Sequence, residues 1–264
     1  MSADQETAKS GNSPSAWIRD ARVVLCFLTR LPVGWPAGAD AITLAAASRT
    51  FPVAGLVTGG LSAMLWLVLR DIGLPVLPAA LLTIGAGVLM TGALHEDGLA
   101  DMADGAGAGA DRLRRLEIMR DSRIGAYGVL ALMFSVGLRV ACLAAFPDPR
   151  FGAAALVAAH VGARAGLPAV MRLVPRARPD GLSVTAGRPD DRSAILSAGI
   201  GLLLVLLFAG FEAGLTAAAL TALALWLTSV WAKRRIGGQT GDVLGGMEQI
   251  GEMVILLTLV AAII

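Results

Sequence analysis

"LPVLPAALLTIGAGVLMTGALHEDGLADMADG", residues 74–105, is apolar from Leu74 to Leu94 and then sets five ionisable side chains, His95, Glu96, Asp97, Asp101 and Asp104, within eleven positions. A helix that crosses a bilayer needs about 20 apolar residues. The first part therefore reads as a membrane span and the second as its polar edge. Segments of the same character recur at about 51–69, 74–95, 124–146, 151–174, 193–211, 213–231 and 249–264. The composition agrees: 56% of the 264 residues are hydrophobic and 16% are charged, against about 25% charged in a soluble domain, and the mean hydropathy is +0.70.

The expected fold is thus all-α, a polytopic integral membrane bundle of about seven transmembrane helices, with residues 16–264 forming one domain. Residues 17–31, "WIRDARVVLCFLTRL", are shorter and carry Arg19, Asp20, Arg22 and Arg30. They suit an interfacial helix with Trp17 at headgroup level, an eighth tilted span being the alternative. Residues 1–15 are polar and Ser-rich, with no apolar stretch of the kind found in secretion signals, and read as a disordered tail. A net charge of +2 with scattered basic residues implies no nucleic-acid partner. Cys26 and Cys142 form no metal-binding or disulfide pattern.

The loops orient the bundle. With 96–123, 175–192 and 232–248 on one side, that side holds Arg112, Arg114, Arg115, Arg120, Arg123, Arg176, Arg178, Arg188, Arg192, Lys233, Arg234 and Arg235, while the other holds Arg70 and Arg150. The positive-inside rule makes the first side cytoplasmic. All the long polar, glycine-rich stretches fall on that face, so a site there would meet a cytoplasmic substrate.

On a helix, Asp97, Asp101 and Asp104 are spaced i, i+4, i+7 and project within roughly 60° of one another. Three carboxylates on one face repel unless a cation neutralises them, and Mg²⁺ is the hard ion that carboxylates and phosphates hold together. A span that merely ends at water needs charge but not this spacing. Gly98 and Gly105, poor helix formers, would let phosphates come close to the backbone. His95, facing away from the aspartates, is a candidate substrate contact. Downstream, "DRLRRLEIMRDSRIGAYG", residues 111–128, supplies arginines suited to a diphosphate, with Arg115, Arg120 and Arg123 as candidate contacts, though such arginines also serve as membrane anchors. The stretch "IGGQTGDVLGGMEQIGE", residues 236–252, reads as a tight turn whose backbone could bind an anion. It offers Gln239, Thr240 and Glu252 to substrate and Asp242 to the metal. Within the spans, Arg164 with His160 one turn earlier would pair with a carboxylate near the inner face.

Taken together, "FLTRLPV" (27–33), "FPVAGLVTGG" (51–60), "LHEDGLADMADG" (94–105), "RRLEIMRDSRIGAYG" (114–128), "RARPDGL" (176–182) and "GGQTGDVLGGMEQIGE" (237–252) resemble the cobalamin synthases, the adenosylcobinamide-GDP ribazoletransferase family. The likeness covers nearly all of the chain after residue 15. Ser183 departs from the glycine frequent in the family. The resemblance implies a bacterial inner-membrane transferase with its active site on the cytoplasmic face. A ribose hydroxyl of α-ribazole, or of its 5′-phosphate, attacks the phosphorus attached to the cobinamide, and GMP leaves. It implies Mg²⁺ on Asp97, Asp101 and Asp104 with Asp242 contributing, and Glu96 or Asp121 as the group that takes the hydroxyl proton. The expected partners are the two substrates and membrane lipid; self-association is left open. The CDP-alcohol phosphotransferases are a rival, but their motif continues differently from the "GAGAGADRLRR" that follows Asp104. A divalent-cation transporter is the other rival; its site would sit near the bilayer midplane and not at an edge followed by arginines.

Overall fold

The computed structural model describes residues 13–37, 44–109 and 111–263. The tail expected over 1–15 lies outside the described residues up to residue 12; from there the chain is already ordered, with Ser13 capping the first helix. Among the described residues the chain is helical throughout: α1 (Pro14–Leu28), α2 (Leu44–Ala47), a 3₁₀ turn (Ser48–Thr50), α3 (Phe51–Asp71), α4 (Val76–Thr91), α5 (Leu94–Gly107), α6 (Arg112–Ile118), α7 (Ala126–Ala145), α8 (Pro149–Ala165), α9 (Leu167–Leu173), α10 (Leu182–Ala186), α11 (Asp191–Ala209), α12 (Phe211–Arg235) and α13 (Gly241–Ala261). Six helical segments are long and apolar enough to cross a membrane, and the count reaches seven if α4 and α5 form one bent span. The protein is a multi-pass helical membrane bundle. Its outer surface is aliphatic and aromatic, with Leu81, Leu89, Phe134, Ile195, Leu207 and Trp226 all exposed.

Lipid supplies no hydrophobic drive between helices, so close packing relies on small residues. In "FPVAGLVTGG", Gly55 and Gly59 of α3 meet α8 backbone to backbone: a Cβ on Gly59 would stand 2.9 Å from the Val157 Cα, and one on Gly55 would strike the His160 carbonyl. Gly251 of α13 approaches the Ala163 Cα equally closely. These contacts place α8 at the centre, buried along most of its length.

The structure changes two of the expected spans. The expected span 74–95 stops at Thr91, where Gly92 (φ 65°) and Ala93 (φ 58°) take left-handed conformations and α5 leaves at 90° to α4. Ala93 is the one non-glycine residue described with positive φ, a conformation that costs about 1–2 kcal/mol. The last span begins at Gly241 and not at 249, so the glycine-rich stretch is a turn only as far as Thr240, the N-cap of α13. The interfacial helix appears as α1, fifteen residues docked on the bundle. Its buried Asp20 pairs with Arg49 at 2.7 Å, and the Arg49 guanidinium stacks 4.4 Å over Trp17. Trp17 is therefore engaged with the protein.

The three polar loops assigned to one side do meet. Ala177 N donates to Gln239 O at 2.9 Å, Gln239 N to Pro175 O at 2.8 Å, and the Arg112 guanidinium to Ala177 O at 2.9 Å. At the opposite end, Trp66 Nε1 donates to Pro149 O at 2.8 Å, and Arg70 reaches the Leu74 carbonyl.

Candidate functional site

The bend after α4 lays α5 across the first turns of α13, and glycines set the distance. A Cβ on Gly98 would stand 2.8 Å from the Asp242 carbonyl oxygen, and one on Gly245 would stand 3.3 Å from the His95 Cα. Gly98 thus admits the backbone of α13 and not a phosphate. Gly105 is likewise filled by protein, the Met119 side chain lying 2.6 Å from where its Cβ would be. The result is an acidic group drawn from two distant stretches: Asp101 lies in the negative field of Asp97, Asp242 and Asp104, opposed by Arg178. Arg178 donates to Asp242 Oδ2 at 3.2 Å, and Thr240 Oγ1 contacts the same oxygen at 3.1 Å. Composition marked Arg178 only as one of many inner-face arginines; its place next to Asp242 depends on the loop pairing between 175–177 and 239.

Two clefts adjoin this group. One, with about 650 Å³ of empty volume, is mainly apolar and is lined by Phe27, Phe51, Leu167, Met171 and Leu244, with His95, Asp97 and Asp242 on its wall. The other, about 930 Å³, is lined by Thr29, Arg30, Thr91, Gly92 and Asp97. Asp97, exposed, borders both.

The remaining acids of the opening motif do other work. Asp104 is buried, and its carboxylate accepts from Gly125 N at 2.7 Å and Gly128 N at 2.8 Å, capping the N-terminus of α7. Both glycines of "IGAYG" are needed for this approach, since a Cβ on Gly128 would stand 2.5 Å from the Asp104 carboxylate and one on Gly125 would collide with it. Each Asp104 oxygen thus accepts a backbone N–H, and the side chain supports α7 behind Asp97 and Asp101. Glu96 is buried and bonded to Arg139 at 3.0 Å, so it is not placed to take a proton from substrate.

Glu96 belongs to a closed ionic network inside the bundle. Arg139 of α7 also reaches Glu252 at 2.9 Å; Arg164 of α8 reaches Glu248 at 2.7 Å and Glu252 at 3.1 Å; His160 Nδ1 lies 2.7 Å from Glu252. His95 Nδ1 stands 3.6 Å from Glu248, and Gln249 bridges Glu248 to Ser135 at 2.9 and 2.8 Å. The expected pairing of Arg164 and His160 with a carboxylate is present. Glu252, expected at the substrate, is instead a shared acceptor at the centre of this network. His160, Glu248 and Glu252 bring ligand atoms within 4.8 Å of one another, but arginines already occupy them.

The arginines expected to clamp phosphate are engaged elsewhere. Arg115 is buried and donates to the Gly105 and Ala106 carbonyls at 2.6 and 2.7 Å, closing the C-terminus of α5. Arg120 pairs with Asp180, and Arg123 with Asp121 at 2.7 Å. The hydrogen bonds from Arg123 hold the Asp121 carboxyl down at about 2, so it is a weak proton acceptor at neutral pH. Gln239 and Thr240 are buried and build the turn before α13, Thr240 Oγ1 accepting from Val243 N at 3.2 Å.

The family model described as Cobalamin-5-phosphate synthase matches residues 20–260. The chain belongs to the cobalamin-5-phosphate synthase family. It is 50% identical over 244 residues to the adenosylcobinamide-GDP ribazoletransferase of Bradyrhizobium diazoefficiens, covering 92% of this chain and 94% of that one. It is 45% identical over 249 residues to the enzyme of the same name from Azorhizobium caulinodans, with 91% and 94% covered. The enzyme of that name from Mesorhizobium japonicum is 44% identical over 247 residues, with 93% and 94% covered. No solved structure matches this synthase-family chain.

Proposed function

We propose that the protein is an adenosylcobinamide-GDP ribazoletransferase acting at the cytoplasmic face of a bacterial inner membrane. Its substrates are the nucleotide-activated corrinoid and α-ribazole or its 5′-phosphate; its products are the joined cobalamin, or its phosphate, and GMP. The observation that carries this reading is Asp97 on the common wall of two clefts, one mainly apolar and one with an arginine. A joining reaction needs two sites that share one reacting centre, and proximity is most of what it requires of the protein. The aromatic base of the ribazole suits the apolar cleft; the diphosphate suits the polar one.

The donor set fits Mg²⁺: Asp97, Asp101 and Asp242 offer hard oxygen ligands, and Asp101 lies in the negative field of three other aspartates that Arg178 only partly opposes. Bound there, Mg²⁺ would neutralise charge on the transferring phosphoryl oxygens. In the reaction the ribose oxygen forms a bond to the phosphorus carried by the cobinamide, and the bond from that phosphorus to the GMP oxygen breaks. The hydroxyl proton passes to Asp97 or Asp101, since Glu96, Asp121 and Asp242 are each bonded to an arginine. Asp104 and Arg115 hold α5 against α7 and α6, and Gly98 keeps Asp242 within reach.

The reading is tested by chromatographic detection of the joined corrinoid after incubating purified protein with adenosylcobinamide-GDP, α-ribazole and Mg²⁺. Product appearing with GMP in equal amounts is expected. Turnover of a CDP-activated alcohol instead, or passive Mg²⁺ flux in proteoliposomes without nucleotide, would replace the reading with one of its rivals.

A further inference from the structure

Arg30 lines the 930 Å³ cleft beside Asp97 and is exposed there. We propose that Arg30 binds the diphosphate of the nucleotide-activated substrate; the assignment rests on the transferase reading above. Its main chain is tied to the bend, the Arg30 N–H donating to Met90 O at 2.6 Å. Its side chain lies against Gly92: a Cβ there would stand 2.5 Å from Arg30 Nε and 3.1 Å from Cγ. The left-handed glycine that turns α4 into α5 therefore also makes the seat for the arginine stem. The stem is fixed while the guanidinium is left without a hydrogen-bonding or ionic partner among the described residues, unlike those of Arg115, Arg120, Arg123, Arg139 and Arg178.

The other polar groups of the cleft are weaker candidates. Thr29 Oγ1 donates to Leu25 O at 2.6 Å and Thr91 Oγ1 to Val88 O at 3.1 Å, so both hydroxyls spend their proton on their own helices. Arg30 is the strong donor that remains, and a planar guanidinium matches two phosphoryl oxygens at once. Its cleft and the apolar cleft share Asp97. A diphosphate held by Arg30 thus brings its phosphorus to the carboxylates from the cleft adjoining that of the ribazole base.

The test compares wild type with Arg30→Ala, Arg30→Gln and Arg30→Lys in detergent, varying adenosylcobinamide-GDP and α-ribazole in turn and measuring GDP binding calorimetrically. Loss of a charge-assisted contact predicts that Ala and Gln raise KM for adenosylcobinamide-GDP and weaken GDP binding roughly 10- to 100-fold. Lys should recover only part, and KM for α-ribazole should stay the same. The Gln variant keeps a polar stem against Gly92 without the charge and answers the question if Ala does not fold. Unchanged GDP binding and unchanged corrinoid KM overturn the assignment, as does an effect confined to α-ribazole 5′-phosphate. A wild type that releases no GMP overturns the transferase reading and this assignment with it; an active wild type with normal Arg30 variants overturns the assignment alone.

Discussion

Helices α5 and α13 each contribute carboxylates to two regions of opposite character. In the interior, Glu96, Glu248 and Glu252 face Arg139, Arg164 and His160, and every one of these side chains is buried. At the edge, Asp97, Asp101 and Asp242 gather beside Arg178, which bonds Asp242, and Asp97 and Asp242 open onto the clefts. Neighbouring positions in one helix thus differ in kind. Glu96 is buried and bonded to Arg139, while Asp97 is exposed to both clefts. In the interior two arginines bridge three carboxylates and tie four helices against one another; at the edge negative charge is left in excess, which is the condition for binding a cation and a phosphate.

If that contrast is right, neutralising an edge carboxylate removes activity but not the fold. Asp97→Asn and Asp101→Asn should each lower turnover at least about 10³-fold, since positioned charge is the main catalytic contribution in phosphoryl transfer, while membrane insertion and thermal unfolding stay as in wild type. Neutralising the interior should do the reverse. Arg139→Met strands Glu96 and takes one of three partners from Glu252, and breaking a buried pair from one side costs about 3–5 kcal/mol, read as a lowered Tm or loss of folded protein in detergent. Asp104→Asn stands between the two: a weakened cap costs about 1 kcal/mol, and turnover should fall by a smaller factor than for Asp97 as α5 loses its anchor on α7. Asp121→Asn should change least. A carboxyl held at about 2 is ionised at every pH above roughly 4 and sheds or gains no proton between pH 5 and 8. Substitution should therefore leave kcat within about twofold and the pH–rate profile unmoved, on the Brønsted argument that a catalytic base titrates near the working pH.

Much of this was legible in the chain. Apolar length marked the spans, and basic loops were grouped on one side, where they do meet through the Ala177–Gln239 and Arg112–Ala177 hydrogen bonds. Helical spacing put the aspartates on one stripe. What spacing could not carry was the choice of partner. Asp104 has the same chemistry as Asp101, and only the nearness of Gly125 and Gly128 makes it a cap. The glycines read as openings for phosphate are openings for helices, because close helix contact and close ligand contact ask for the same missing Cβ. Arg115, Arg120 and Arg123 read as phosphate contacts because a guanidinium matches phosphate; in the structure Arg115 bonds the end of α5, Arg120 pairs with Asp180 sixty residues on, and Arg123 pairs with nearby Asp121. Arg30 stands in "FLTRLPV", one of the stretches that carry the resemblance, but its place in the cleft with Asp97 follows from the left-handed turn at Gly92 and Ala93, which an apolar run does not announce.

The most direct test of the central claim is GMP release from adenosylcobinamide-GDP and α-ribazole by purified wild type and Asp97→Asn protein, each with Mg²⁺ and with EDTA. Release by wild type with Mg²⁺ alone, absent with EDTA and absent in the variant under either condition, is the predicted result. Release that survives EDTA, or persists at the wild-type rate in a folded Asp97→Asn protein, would contradict it.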